Sequence, residues 1–230
     1  RQAAEPLKTK LSTDGKVLKA KLRPQRDKMF QLARFATRHV VAQTDLQVLD
    51  IGCGWGNLME KLNARFAPLQ RRVVPYGIEV SKDLAAIAGE KFAPLGGHVV
   101  QDNAVHGIQQ FDAHSFDLIV MWCFLEHECQ PLTLLEALRP RLRDGGSVII
   151  KVPNFNSWNR RLRGRRWCGF RYPDHVQYFT PHTLRLLAQQ AGYTISRQSL
   201  LDKAPLSDNM YAILQPAASR PMHGPFGKAA

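Results

Sequence analysis

The hydrophobic positions of this sequence change period several times along the chain, and each change predicts the boundary of a strand or a helix. Short, mostly β-branched apolar runs predict buried strands, whereas apolar residues three and four apart predict amphipathic helices. The predicted strands cover residues 46–51, 73–80, 98–102, 116–123 and 147–152, and the predicted helices cover 28–40, 57–66, 82–92 and 131–142. Because the two kinds of element alternate, we expect parallel pairing with right-handed crossovers.

The pattern changes after the fifth predicted strand. Residues 154–179 are rich in Arg, Trp, Tyr, Phe and Pro and match neither a strand nor a long helix. A helix is predicted again at 181–190, with Thr180 as its N-cap, and residues 193–200 and 209–214 then alternate as two last strands. The predicted fold class is therefore α/β: a doubly wound, mostly parallel seven-stranded sheet with helices on both faces and an antiparallel last strand.

Composition divides the chain into three parts. Residues 1–27 form a basic N-terminal extension with little apolar periodicity. Residues 28–215 form one domain, in which 154–180 are expected to be a substrate-side insertion or lid. The tail 216–230 is rich in Pro, Ala and Gly, and we expect it to be disordered.

The net charge of +13 is concentrated in two patches. Residues 1–40 hold eleven Lys or Arg against three acids, and residues 160–171 hold six Arg and no acid. Such patches suit an anionic partner, which could be a phosphorylated substrate, a lipid head group or nucleic acid. A solvated basic surface with no partner explains them equally well.

The remaining composition argues against an integral membrane protein. No run of about 18 apolar residues is present, and the basic N-terminus has no apolar segment typical of a secretory signal. The four cysteines are Cys53, Cys123, Cys129 and Cys168, and they form no C-x-x-C pair. We therefore expect reduced thiols in a cytoplasmic protein and no metal site.

A glycine-rich turn directly after the first predicted strand indicates a nucleotide-type ligand. Gly52, Gly54 and Gly56 lie at alternate positions and Asp50 precedes them. A dinucleotide site uses G-x-G-x-x-G, in which a pyrophosphate rests on the helix N-terminus. Here the third glycine comes one residue earlier, and an acid beside the turn would repel a pyrophosphate but suits a cationic ligand.

Two further acids follow the next two predicted strands. Glu79 comes 27 residues after Gly52, where a carboxylate can accept hydrogen bonds from ribose hydroxyls. Asp102 ends the third strand, where it can accept from an adenine amino group. Three acids at three successive strand ends therefore indicate an adenosine ligand with a positive charge.

The motifs VLDIGCGWG, YGIE, QDN, FDLIVMWCFLEH and LRDGGSVIIKVPN together resemble class I S-adenosylmethionine-dependent methyltransferases, of the small-molecule type related to ubiquinone-pathway enzymes. They cover about residues 46–154, and a C-terminal match includes Trp167, His175 and Tyr178-Phe179-Thr180. The resemblance implies a Rossmann-like methyltransferase fold and S-adenosyl-L-methionine as cofactor.

The resemblance also implies roles for individual residues. Asp50 would help hold the ammonium group of the cofactor, Glu79 its ribose and Asp102 its adenine, while the residues that end the fourth strand would flank it near the substrate entrance. The implied cofactor-binding residues are Asp50, Gly52, Cys53, Gly54, Gly56, Asn57, Glu79, Val80, Asp102, Asn103, Trp122 and Cys123.

Two histidines are candidates for catalysis. Methyl transfer is an in-line displacement at a sulfonium, so alignment is its main requirement, and a hydroxyl nucleophile gains from a general base. His175 lies in the aromatic segment where this fold builds its acceptor site, and His127 follows the fourth strand. Either could instead be a packed loop histidine, and a structural role is the favoured interpretation of Glu126.

The favoured function is methyl transfer to a small-molecule acceptor, which could be phosphorylated, saccharide-linked or lipid-linked, in a protein that could be peripheral to a membrane. One alternative is an RNA or protein methyltransferase that docks through the basic N-terminus and the cluster Arg160–Arg166. Another is a non-catalytic domain of the same fold. An NAD-dependent reductase is disfavoured by the glycine spacing.

Overall fold

The fold is a seven-stranded sheet with helices on both faces. The computed structural model describes residues 28–38, 45–197 and 207–217. The strand order is β3-β2-β1-β4-β5-β7-β6. The strands are β1 (Leu46–Ile51), β2 (Val73–Glu79), β3 (His98–Gln101), β4 (Phe116–Trp122), β5 (Leu142–Pro153), β6 (Tyr193–Arg197) and β7 (Asn209–Pro216).

Pairing is parallel from β3 to β5 and antiparallel around β7. Strand β1 pairs in parallel with β2 and β4, and β4 with β5. Strand β7 lies between β5 and β6 and runs antiparallel to both. The predicted doubly wound fold, with its antiparallel last strand, is thereby confirmed. The order reverses between β1 and β4, so loops from the carboxyl ends of these central strands surround a crevice, where open α/β sheets bind ligands.

Two hydrophobic clusters pack the helices onto opposite faces of the sheet. Buried residues of β1, such as Leu49 and Val48, alternate between the two clusters because successive side chains of a strand point to opposite faces. The helices are α1 (Lys28–Ala36), α2 (Asn57–Phe66), α3 (Lys82–Phe92), α4 (Ala104–Gly107), α5 (Pro131–Leu138), α6 (Trp158–Arg163) and α7 (Pro181–Gln190).

Most predicted boundaries agree with the structure to within one or two residues. Ser81 caps α3 by accepting a hydrogen bond from the Leu84 amide, and Thr180 forms a capping box with Thr183 at the start of α7. The predicted helix 131–142 is shorter as an α-helix and ends at Leu138, because a proline two residues later cannot continue its hydrogen bonding.

The sequence Asp144-Gly145-Gly146 predicts a turn between helix 131–142 and strand 147–152, but the structure places these residues within β5, so this prediction is wrong. Strand β5 begins at Leu142, which pairs with Phe116, whereas Ser147 pairs with Leu118. The intervening residues therefore form a bulge within the strand. Gly145 adopts a φ of 77°, which explains why glycine occurs there without a chain reversal.

Some predictions fall outside the described residues. The basic extension 1–27 lies there, as do the end of the first predicted helix at Val40 and most of the tail. Strand β7 ends at Pro216, and the division of the chain at residue 215 stays a prediction.

Candidate active site

The glycine turn after β1 is held against the end of β2. The amides of Gly52 and Cys53 both donate to the Ile78 carbonyl, at 2.8 and 3.2 Å. Gly52 has a φ of 72°, and a Cβ atom there would lie 2.4 Å from the Phe124 ring. Glycine is therefore required on both conformational and steric grounds. The turn leads directly into α2, whose N-cap is Gly56.

Glu79 ties the same turn to the end of β2. One carboxylate oxygen accepts from the Gly54 amide at 2.9 Å, and the other accepts from the Ser81 amide at 3.0 Å. A carboxylate offers about four acceptor positions, so these two bonds fix its orientation and leave lone pairs for a ligand.

Asp50 lies beneath the turn and is buried. Burial, with a smaller contribution from the negative charge of Glu79, raises the pKa of Asp50 to about 8. Burial likewise raises the pKa of the Cys53 thiol above its usual range. The ligand-free site therefore disfavours further negative charge and would gain from a cationic group.

A cavity of about 410 Å³, which we call the cofactor cavity, opens at the carboxyl ends of β1 to β4. Five of the residues predicted to bind the cofactor line it: Gly52, Glu79, Val80, Asp102 and Asn103. His127, predicted as a candidate base, lines it too, whereas sequence reasoning missed the remaining lining residues, which are Ile78, Ala104, Phe124 and Glu128. Phe124 lies two residues beyond β4, and no periodicity signals its turn toward β1.

Asp102 is oriented by its neighbours. One of its oxygens accepts from the Asn103 amide at 2.7 Å, and the other accepts from the Gln110 side chain at 3.1 Å. Asn103 in turn caps α4 by accepting from the His106 amide. These bonds fix the orientation of the Asp102 carboxylate at the edge of the cofactor cavity.

Several predicted cofactor residues do not line this cavity. Gly54 and Gly56 belong to the turn itself, and the Cys53 side chain is buried against Gly77. Asn57 accepts a hydrogen bond from Lys91 at 2.8 Å on the outer surface of α2. These residues therefore belong to the glycine turn or to the start of α2 and do not line the cavity itself.

The end of β4 also differs from the prediction. Trp122 packs against the Tyr211 ring, with a centroid distance of 5.5 Å. Nζ of Lys151 lies over the Trp122 ring, 5.0 Å from its centroid. Cys123, at a φ of 59°, donates its amide to the Lys151 carbonyl and lines a different cavity. Neither Trp122 nor Cys123 lines the cofactor cavity.

This second cavity, the acceptor cavity, has a volume of about 440 Å³. It lies between the ends of β4, β5 and β7 and the segment 154–179, and His127 lines both it and the cofactor cavity. Its lining residues are Cys123, Glu126, His127, Lys151, Pro153, Cys168, Gly169, Arg171, His175, Asp208 and Asn209. His127 therefore borders both cavities.

The two candidate catalytic histidines are in contact. Their rings are perpendicular, with a centroid distance of 4.7 Å. Nδ1 of His127 lies 2.7 Å from the Asp174 carbonyl, and Nδ1 of His175 lies 2.8 Å from the Gly169 carbonyl. Because a carbonyl only accepts, each Nδ1 carries the proton, and in the neutral ring each Nε2 keeps its lone pair.

Burial affects the charges in this cavity. It lowers the pKa of His175, so the neutral imidazole is favoured, and it raises the pKa of Glu126. The Glu126 backbone carbonyl accepts from the amides of Val176 and Gln177, both at 3.0 Å. The Glu126 backbone thus connects the end of β4 to the segment 154–179, and the residue also lines the acceptor cavity.

The predicted lid is fastened to the start of β7 by Asp208. Its carboxylate accepts from the Trp167 indole at 2.7 Å, from Ser157 at 2.9 Å and from Asn159 at 2.6 Å. Burial opposes ionisation of this carboxyl, but these donors together with the Cys168 thiol outweigh it and hold its pKa below the usual value.

The arginine cluster of the lid does not face the acceptor cavity as a group. Arg160 donates to the Phe155 carbonyl and stacks on the Phe155 ring. Arg163, Arg165 and Arg166 are exposed around a shallow hollow beside Leu162. In the described parts of the chain, no helix is long and apolar enough to cross a membrane.

A family model described as a methyltransferase domain matches residues 19–198 of this chain. The chain belongs to the class I S-adenosylmethionine-dependent methyltransferases. Its cofactor is S-adenosylmethionine, and the acids at the ends of β1, β2 and β3 fit this cationic adenosine ligand.

The curated relatives include ubiquinone biosynthesis O-methyltransferases. The one from Aeromonas salmonicida is 27% identical over 176 residues, which cover 70% of this chain and 68% of that protein. The one from Cereibacter sphaeroides is 29% identical over 153 residues, covering 64% and 60%.

Solved methyltransferases share the fold. The plantazolicin methyltransferase BamL, in complex with a triazolic desmethylPZN analog and SAH, has a TM-score of 0.62 at 16% identity, covering 81% of this chain and 82% of that one. Magnesium protoporphyrin IX methyltransferase from Synechocystis, with bound SAH, has a TM-score of 0.56 at 15% identity, covering 82% and 84%.

Proposed function

We propose that this protein methylates a hydroxyl group of a small-molecule acceptor bound in the acceptor cavity. The observation that carries the proposal is the meeting of the two cavities at His127. Methyl transfer requires the nucleophile, the methyl group and the sulfur in line. A boundary shared by a cofactor cavity and an acceptor cavity is where that alignment can be made.

The cofactor would be held by the acids at the strand ends. Glu79 is already oriented by two amides and would accept from the ribose hydroxyls, and Asp102 would face the adenine. Asp50 would offset the ammonium charge. S-adenosylmethionine supplies an activated methyl group, so the protein needs only to position the acceptor, exclude water and manage the acceptor proton.

The histidine pair would manage that proton. The Nε2 lone pairs of His127 and His175 are available in their neutral rings, and either is suited to take a proton from a hydroxyl. Because the similar ubiquinone biosynthesis enzymes are O-methyltransferases, oxygen is the favoured nucleophile over nitrogen or carbon.

The acceptor cavity also favours an acceptor with negative charge. Lys151 and Arg171 line it together with the histidines. A phosphorylated acceptor, or one bearing a carboxylate, would complement these cations. A saccharide or lipid attached to the acceptor could extend out past the lid.

Transfer of an isotope-labelled methyl group to a panel of phenols, catechols and phosphorylated alcohols tests this function. We expect His127→Gln and His175→Gln to lower kcat by about 100-fold, the contribution typical of general base catalysis. His182→Gln, an exposed histidine on α7, is the matched control and should keep the wild-type rate. Wild-type rates in both site variants would contradict a base role, and failure to bind SAH calorimetrically would contradict the function itself.

A second candidate is an RNA or protein methyltransferase, favoured by the exposed arginines at 163, 165 and 166. Binding to bulk RNA with a steep dependence on salt would support it, because each neutralised phosphate releases counterions. Salt-independent binding, or none, would leave the small-molecule acceptor as the function.

A further inference from the structure

Three side chains of the acceptor cavity converge more closely than proton abstraction requires. One ring nitrogen of His127, one of His175 and a carboxylate oxygen of Glu126 all lie within 4.8 Å of one another. A general base needs a single imidazole. Proton abstraction by either imidazole therefore leaves the other imidazole and the Glu126 carboxylate beside it unexplained.

One oxygen of the Glu126 carboxylate lacks the hydrogen-bond partner that a buried acid normally has. The residue is 1% exposed, and its Oε2 atom accepts no hydrogen bond. Among the described residues, no Lys or Arg forms an ion pair with it within 4.0 Å, although Lys151 and Arg171 line the same cavity. A buried carboxylate oxygen without a partner costs free energy unless something binds it.

The histidines are oriented as metal ligands usually are. A ligating imidazole almost always donates its other N–H to a carbonyl or carboxylate, which fixes the tautomer and the ring orientation. Both rings have this arrangement, since Nδ1 of His127 lies 2.7 Å from the Asp174 carbonyl and Nδ1 of His175 lies 2.8 Å from the Gly169 carbonyl. Both Nε2 atoms are thereby left as ligands.

From this convergence we infer that Glu126, His127 and His175 form a binding site for a divalent transition-metal ion. Two neutral imidazoles and one carboxylate are a donor set that suits Zn²⁺, Fe²⁺, Co²⁺ or Mn²⁺ better than Mg²⁺ or Ca²⁺, which prefer oxygen ligands. Ligand distances of about 2.0–2.2 Å would draw the three donor atoms about 1 Å closer together. The sequence-based expectation of no metal site considered only cysteine spacing.

The site would leave coordination positions open toward the acceptor cavity, because the protein supplies three ligands. An acceptor hydroxyl placed against the ion would ionise more readily, since a bound cation lowers the pKa of an oxygen ligand. With both Nε2 lone pairs bound to the ion, the histidines would act as ligands in place of bases, and the hydroxyl proton would pass to solvent. The oxygen would form its bond to the methyl carbon, and the electron pair of the carbon–sulfur bond would remain on sulfur. This consequence rests on the proposed function, whereas ion binding does not.

The experiment titrates the full-length protein, stripped with a chelator, with Zn²⁺ by calorimetry and with Co²⁺ by visible absorption. We expect one ion per chain and a Co²⁺ spectrum typical of mixed nitrogen and oxygen ligands. Glu126→Gln and His175→Gln should each weaken binding at least about tenfold. His182→Gln is the control and should bind as the wild type does. Circular dichroism confirms folding, and His127→Gln, at an exposed position, serves if a buried variant fails to fold.

Absence of Zn²⁺ and Co²⁺ binding, or unchanged binding in Glu126→Gln together with His127→Gln, would overturn the inference. Parallel calorimetry with SAH distinguishes it from the proposed function. Binding of SAH with methyl transfer by the chelator-treated protein, and no ion binding, would remove the metal site alone. Ion binding that weakens in the variants, without SAH binding or methyl transfer, would support the metal site and contradict the proposed function.

Discussion

At the scale of single residues, the cofactor site depends on carboxylates that the protein itself holds in place, by hydrogen bonds or by burial. Glu79 is held by the amides of Gly54 and Ser81, and Asp50 is buried close to it. Such preorganisation lowers the ordering cost of binding. Its cost is the unfavourable free energy of placing two acids close together at the glycine turn, and the positive ammonium group of the cofactor would reduce that cost.

Asp50 should therefore make the ligand-free protein less stable as the pH rises. Its pKa is about 8 in the folded protein, raised by burial first and by the Glu79 charge second, against 3.8 as its ordinary value. Between these values the folded state binds one more proton than the unfolded state, so the free energy of unfolding falls with rising pH. We expect Asp50→Asn, which cannot ionise, to be more stable than wild type near pH 8.

Urea unfolding at about pH 5, 6.5 and 8 measures this effect on the free energy of unfolding. The difference between the variant and the wild type should grow steadily with pH. Asp112→Asn, at an exposed position, is the control and should parallel the wild type. Parallel profiles for Asp50→Asn and wild type would show that Asp50 ionises normally.

At the scale of elements, the lid is the part whose position depends most on one contact. Asp208 receives hydrogen bonds from Ser157, Asn159 and Trp167, and its own carbonyl accepts from the Asn154 amide at 2.8 Å. These bonds join α6 and the residues that follow it to the start of β7. The acceptor cavity exists because this attachment holds the segment over the strand ends.

We predict that Asp208→Asn loosens the lid while the sheet stays folded. The amide group presents donors where the carboxylate accepted them, so at least one hydrogen bond is lost, at about 1–3 kcal/mol because the acceptor is charged. Trypsin should cut the exposed arginines of α6 faster than in the wild type. Acid should have a similar effect, because the stabilisation from this depressed pKa is lost as the pH falls below about 4.

Asp174→Asn is the control for this prediction, because the residue is exposed in the same segment. Equal cleavage rates for Asp208→Asn and Asp174→Asn would show that the lid does not depend on Asp208. Intrinsic fluorescence of the buried Trp167 gives a second readout, since a loosened lid exposes its ring to water.

At the scale of the whole molecule, the cofactor cavity joins the ends of β1, β2 and β4 with the start of α4. A ligand that contacts all of these elements stabilises the folded chain by mass action. At a concentration of 100 times its Kd, SAH should raise the free energy of unfolding by about 2.7 kcal/mol. NAD⁺ should have little effect, since Asp50 and the glycine spacing disfavour a pyrophosphate.

Thermal unfolding with each ligand at equal concentration checks this prediction. A larger shift with NAD⁺ than with SAH would favour the reductase that the glycine spacing disfavours. Glu79→Gln should abolish most of the SAH effect, because the neutral side chain loses acceptor capacity for the ribose. The unliganded Glu79→Gln protein provides its own baseline, since its turn loses one amide contact.

The sequence by itself determined the element order, the fold class and the methyl donor. Alternating periods of two and 3.6 residues are local properties, and so are the N-caps at Ser81 and Thr180. The acids at three strand ends were predictable because parallel strands bring their carboxyl ends to one edge of the sheet. The glycine spacing after β1 then distinguished a sulfonium ligand from a pyrophosphate.

Only the tertiary structure decided how the acceptor side is built. His127 and His175 are 48 positions apart in the chain, and no periodicity relates them. Their contact, the burial of Glu126 beside them and the attachment of the lid to Asp208 depend on how the segment 154–179 folds back over β4, β5 and β7. Such long-range contacts arise from packing between elements, and the local pattern of a sequence does not specify them.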